Sequence, residues 1–91
     1  MEWHVYIILC SDTTYYTGIT SDIERRVRQH AKGTGAKYFR GRKPEQVVYL
    51  EKGHNRSSAS RREIQIKSMS RAAKENLIMT TSAADLLKLP L

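Results

Sequence analysis

A single cysteine, Cys10, stands in the chain, so an internal disulfide is excluded and so is a cysteine-rich zinc site. No apolar run approaches the ~20 residues that a membrane-spanning helix needs. The opening Met1-Glu2-Trp3-His4 has no basic segment ahead of an apolar one, which predicts no secretory signal and a cytoplasmic location. No membrane partner is expected. Repeats, linkers and low-complexity tracts are missing. Lys and Arg are missing too, but only from the first 24 residues.

What is present describes a small basic domain. The 91 residues carry 16 Lys and Arg against nine Asp and Glu, a formal net charge of +7. With 40% hydrophobic and 27% charged residues, the chain has the balance of a globular protein, not of a disordered tail. One modest core fits this length, burying roughly 60–65% of the surface exposed on unfolding, so residues 1–91 are read as a single domain. Thirteen of the 16 cations fall between Arg25 and Lys67. A basic region so concentrated is expected to face a polyanion, because phosphate neutralisation supplies most non-specific nucleic-acid affinity. A solvated face that only confers solubility is the plainer alternative.

Residues 3–10, β-branched and aromatic, predict a largely buried strand. Ser11-Asp12-Thr13 is a turn cluster, and residues 14–20 predict a second strand paired as a hairpin. Ser21-Asp22-Ile23-Glu24 matches a capping box opening a helix, whose buried stripe is Ile23, Val27 and Ala31. Residues 32–44 hold three glycines and a proline and predict an irregular segment. Residues 46–50 predict a third strand. Asn55 or Ser57 then caps a helix to about Lys67, and Ser70 caps another to about Met79. A short apolar helix from Ala83 to Leu87 is expected to close the chain. The fold class is α/β in the broad sense (α+β): a small, three-stranded, mainly antiparallel sheet flanked by helices.

Four features carry possible chemistry. Tyr6 and Tyr16 project from one sheet face if even residues pair with even residues, with Gly18 near Tyr6 leaving room for a ligand. The plainer alternative is that both tyrosines pack. Arg26 and His30 are i and i+4 neighbours on the border of the helix stripe, where an arginine can fork onto phosphate; helix geometry alone favours a structural role for both. Glu63 lies about 40° from Ala59 on its helix, toward the apolar side. A carboxylate there is costly unless it is paired or binds a metal. Lys37, Tyr38, Arg40, Arg42 and Lys43 form a basic stretch with interleaved aromatics, suited to backbone contact and base stacking, or else a solvated loop.

In order and spacing these motifs resemble the GIY-YIG nuclease superfamily. His4-Val5-Tyr6 stands where the family has Gly-Ile-Tyr, and Tyr16-Thr17-Gly18 where it has Tyr-Ile-Gly. Gly18-Ile19-Thr20 leads into the helix cap and the arginine motif, with Arg26 at the catalytic arginine and His30 where several members have His or Tyr. Arg62-Glu63-Ile64-Gln65-Ile66-Lys67 is similar to the segment whose Glu binds metal, and the family's Asn falls on Asn76. The likeness covers about residues 3–79, leaving a C-terminal helical extension, 80–91, and looks most like the small, single-domain bacterial members. Two departures stand out. His4 replaces the first glycine, and Ile19 stands where repair-type members carry Lys, which bears on substrate handling.

The resemblance implies metal-dependent hydrolysis of phosphodiester bonds in nucleic acid, with DNA expected. Glu63 would hold a divalent ion, Mg²⁺ or Mn²⁺. Tyr6 is the candidate general base and Tyr16 the residue orienting water or phosphate; these roles are exchangeable, and His30 can share the proton work. Arg26 would stabilise charge on the phosphate. The alternative function is a non-catalytic nucleic-acid-binding module of the same fold. Sequence specificity would call for a protein partner or a dimer.

Overall fold

Trp3–Cys10 is apolar at nearly every position, and a strand of that composition belongs in the middle of a sheet. The computed structural model, which describes residues 1–32 and 42–80, places it there. Strand β1 (Trp3–Cys10) pairs antiparallel with β2 (Tyr15–Thr20) on one side and β3 (Pro44–His54) on the other, in the order β2-β1-β3. Helix α1 (Ile23–Ala31) follows β2, and α2 (Arg56–Lys67) and α3 (Arg71–Thr80) follow β3. The antiparallel α+β arrangement is the expected one. Among the described residues no helix is long and apolar enough to cross a membrane. The expected helix at Ala83–Leu87 and the side chain of Ala31 lie outside the described residues.

Both sheet faces are covered. Alternation sends Val5 and Ile7 to one side, where they pack with Tyr49, Ala59 and Ile66, backed by Leu77 and Ile78 of α3. Tyr6 and Ile8 point to the other side and pack with Cys10, Val47 and Leu50 beneath Ile23 and Val27 of α1. β3 is longer than residues 46–50. Its polar end, Glu51 to His54, continues to pair as far as Trp3↔His54, which an edge strand permits because one side of it meets water.

The cap of α1 also departs from expectation. The Thr20 hydroxyl binds the Asp22 backbone at N–H (3.0 Å) and at C=O (3.1 Å), which holds the turn one residue further on. Asp22, not Ser21, is therefore the cap, its carboxylate accepting from the Arg25 N–H at 3.1 Å. A carboxylate there also complements the helix dipole. Of the two caps read from the sequence, Asn55 and not Ser57 caps α2, in a reciprocal box with Ser58.

The β1–β2 turn carries a strained residue. Thr13 sits at φ 65°, a left-handed conformation in which a β-branched side chain crowds its own backbone. Its carbonyl accepts from Arg71 Nη1 at 2.6 Å, a bond that survives any side-chain change. Thr13→Gly is expected to stabilise the fold by about 0.5–1 kcal/mol, relief of strain offset by the extra freedom of unfolded glycine. A higher urea midpoint at constant m-value is the check.

Candidate active site

The register His4↔Thr20, Tyr6↔Gly18, Ile8↔Tyr16 puts every even residue of the hairpin on one sheet face. Tyr6 and Tyr16 therefore meet, with ring centroids 6.3 Å apart. Gly18, opposite Tyr6, does not leave space for a ligand as expected. A Cβ at Gly18 would lie 2.5 Å from the Tyr6 hydroxyl oxygen and 2.7 Å from Cζ. The Tyr6 ring itself fills the place, and glycine is required because the phenol crosses directly above the backbone.

Helix α1 brings the other two partners. Asp22 sets the start of the helix, so Val27 faces the sheet and Arg26 and His30 follow on its flank. His30 is wholly buried, its Nε2 3.0 Å from the Tyr6 hydroxyl. Its ring lies 5.8 Å from Tyr6 and meets Tyr16 edge-on at 5.6 Å. Arg26 Nε donates to the same hydroxyl at 3.3 Å, while Nη1 donates to Gln29 Oε1 at 3.1 Å. The Tyr6 hydroxyl is thus an acceptor for Arg26 and a donor to His30.

The protonation states follow from burial. Burial pushes Tyr6 up to about 12, with the charge of Glu63 a lesser contributor in the same direction and Arg26 opposing. Tyr6 is therefore a neutral phenol at pH 7. Burial first, and Arg26 second, push His30 down to about 4. His30 is thus neutral with its proton on Nδ1, so that Nε2 can accept. The hydrogen bond to Tyr6, and further contact with Tyr6 and Tyr16, hold Arg26 above the ordinary guanidinium range.

Full enclosure changes the expected division of labour. Tyr6 is 0% exposed and cannot face a water in this arrangement, whereas Tyr16 is half-buried and can. Glu63 also differs from expectation. It is not an unpaired inward charge: its side chain is 22% exposed and pairs with Lys67 Nζ at 3.4 Å, one turn on. Its neighbour Ile64 points to solvent. Among the described residues no three His, Cys, Asp or Glu converge. A single half-buried carboxylate suits an ion that takes most of its ligands from water and phosphate, as Mg²⁺ does, and not one that needs a protein cage.

The basic stretch is brought to the site only in part. Lys37, Tyr38 and Arg40 lie outside the described residues. Arg42 is ion-paired with Asp12 at 2.7 Å, and Lys43 is tied by its backbone to Ser11, so both are fastened to the β1–β2 turn. Asn76 is exposed on α3. Two further residues bear on the site, Gln29, which the sequence reading does not single out, and His4, which it names only as a departure from the family pattern. Gln29 anchors Arg26, and its i+3 spacing from Arg26 is the available signal. His4, two residues before Tyr6 on the same face, has a buried Nδ1 with no hydrogen-bond partner among the described residues.

With this geometry in hand, the comparisons are direct. The GIY-YIG catalytic domain model matches residues 2–76, and the chain belongs to the GIY-YIG family, a nuclease-type catalytic domain. Within it, the chain is similar to UPF0213 proteins. It is 55% identical to one from Halobacterium salinarum over 74 residues, 81% of this chain and 96% of that one. It is 51% identical to one from Natronomonas pharaonis, over 85% of this chain and 91% of that one. The solution NMR structure of a UPF0213 protein from Bacillus halodurans aligns with TM-score 0.56 at 43% identity, covering 87% of this chain and 84% of that chain. A solution structure from E. faecalis aligns with TM-score 0.61 at 37% identity, covering 88% and 85%.

Two outcomes test the cluster. In imidazole NMR, His30 should stay the neutral Nδ1–H form on acidification and titrate near pH 4. Its folded value lies below the unfolded ~6.5, so its contribution is complete above pH 6.5 and is lost as pH falls toward 4, a decline of up to about 3 kcal/mol. An ordinary titration at pH 6–7 would remove the assignment. Gly18→Ala should displace the Tyr6 ring and cost about 1–3 kcal/mol by overpacking; an unshifted Tyr6 spectrum with unchanged melting would contradict the contact.

Proposed function

We propose that this protein is a divalent-metal-dependent nuclease that hydrolyses phosphodiester bonds in nucleic acid, with DNA as substrate. The observation that supports it most is the Arg26 guanidinium. Tyr6 holds it at Nε and Gln29 at Nη1, and its remaining donors can be offered to a phosphoryl oxygen. A pre-positioned, protonated fork beside a half-exposed phenol suits a reaction that builds negative charge on phosphate.

Each residue then has a stated task. Arg26 binds the scissile phosphate and opposes the growing charge. Tyr16 touches the substrate side and orients the attacking water. Tyr6 is a positioning residue for Arg26, and its proton is shared with His30 Nε2. His30, neutral throughout the physiological range, accepts that hydrogen bond and so fixes the phenol, and through it Arg26, in place. Glu63 would hold the Mg²⁺ or Mn²⁺. When bound, such an ion lowers the pKa of the attacking water and offsets charge on the phosphate.

The test is single-turnover cleavage of labelled single-stranded, duplex and branched DNA with Mg²⁺ and Mn²⁺. Glu63→Gln keeps the size of the side chain and removes its charge. Its expected loss is at least about 10²-fold in rate, ~2.7 kcal/mol in the barrier. DNA binding should persist, and stability should change by under about 1 kcal/mol, the worth of a partly exposed i,i+4 ion pair. Tyr16→Phe and Arg26→Ala should lose turnover in the same way. Equal cleavage by wild type and Glu63→Gln would refute the metal assignment. Tight binding with no cleavage on the whole panel would favour a non-catalytic binding module, which the full burial of Tyr6 accommodates.

A further inference from the structure

Every Lys or Arg seen in an ion pair among the described residues lies away from α1. Arg42, Arg62, Lys67 and Arg71 are each held in an ion pair with an acidic residue. Arg56 lies over the Trp3 ring at 5.5 Å. Lys43, Lys52, Arg61 and Lys74 form no ion pair among the described residues either, but they are spread over β3 and its approach, α2 and α3, whereas α1 gathers three such cations on one helix. Arg25, Arg28 and Lys32 are all exposed, and none forms an ion pair among the described residues. At 100° per residue they share an arc of about 60°, so they make one ridge along the outer side of the helix. The ridge rises about 10 Å from Arg25 to Lys32, the length over which one strand of a duplex presents about three phosphates.

Its position links it to the site. Gln29, which holds Arg26 by Nη1, lies in angle between Arg26 and Arg25, about 60° from the first and 40° from the second. Going round the helix from the sheet, the order is Val27, His30, Arg26, Gln29, then the ridge. A polyanion laid along the ridge has its next contact at Arg26, with Tyr16 beyond. Glu24, one turn before Arg28, forms no ion pair with it among the described residues, and three cations against this one carboxylate leave the ridge net positive.

We infer that Arg25, Arg28 and Lys32 form a phosphate-backbone track that seats the substrate strand parallel to the α1 axis, directing one phosphate onto Arg26. This rests on the nuclease reading for its orientation but not for its binding. It adds a contact surface on the outer side of α1 to the expected basic stretch, in which Arg42 is already paired with Asp12.

The experiment is fluorescence anisotropy with short labelled DNA oligonucleotides, single-stranded and duplex, in EDTA, from about 50 to 200 mM salt. The track variant is Arg25→Gln/Arg28→Gln/Lys32→Gln. Its control, Lys52→Gln/Arg61→Gln/Lys74→Gln, removes the same charge elsewhere. The track variant should weaken binding at least about tenfold and lower the log–log salt slope by about two, each phosphate left without its cation accounting for roughly 0.7–0.9. The control should change binding less than about threefold. Arg25→Lys/Arg28→Lys should restore most of the affinity, which separates charge from helix integrity. Equal losses in track and control variants, or no loss in either, overturn the proposal. Wild type that binds through the track without cleaving anything keeps the track and defeats the nuclease reading instead. Wild type that binds no nucleic acid defeats both.

Discussion

The hydroxyl of Tyr6 is the constraint around which this half of the molecule is arranged. It lies between an arginine donor and a histidine acceptor, with no exposure to solvent. A buried hydroxyl left unpaired costs free energy, so each partner is under pressure to stay where it is. His30 must be neutral to accept, and its burial makes it so. Arg26, charged at any working pH, can only donate, and its contacts with the phenols hold it further above the ordinary guanidinium range. Gly18 must lack a side chain, or the ring could not reach them. One bond pattern thereby accounts for residues on β1, β2 and α1 together.

The opposite face uses the same logic with a carboxylate at the centre. Burial alone would raise Glu51, but hydrogen bonds from Tyr49 and His54 and the charge of Arg62 hold it below the usual range. Arg62 reaches it from α2 at 3.1 Å to both oxygens, and His54 connects it to Ser58 in the cap of that helix. The clasp sets how α2 lies on the sheet. Glu63 is the next residue after Arg62, so the helix face that presents it is fixed by a network belonging to the core side. Structural and candidate catalytic roles therefore sit on consecutive residues, and substitutions at either have to be separated by stability measurements.

Much of this is legible from residue order. The hairpin is readable because turn chemistry and β-branched runs are local, and Asn55 as the cap of α2 is readable for the same reason. The border position of Arg26 is visible in helix periodicity, whereas His30, read as its border neighbour, is wholly buried because Tyr6 and Tyr16 close over it. The cap of α1 falls one residue beyond the capping pattern because the Thr20 side chain, not that pattern, sets where the chain turns. Glu63 looks unpaired in sequence since helix angle says nothing about how far a flexible Lys67 side chain reaches. The roles of Tyr6 and Tyr16 are exchangeable in the sequence reading, because two tyrosines at equivalent strand positions are indistinguishable until burial is known; the structure encloses Tyr6 and leaves Tyr16 half-buried.

By itself, then, the sequence determined the class of fold, the residues able to do chemistry and the concentration of positive charge, since propensity, alternation and spacing are properties of neighbours along the chain. Tertiary structure alone decided which groups are ionised, which phenol is enclosed and which cations are already paired. Those depend on burial and on partners distant in sequence: 24 residues separate Tyr6 from His30 and 30 separate Asp12 from Arg42. Desolvation and Coulomb energies follow distance in space, and no local pattern encodes that distance.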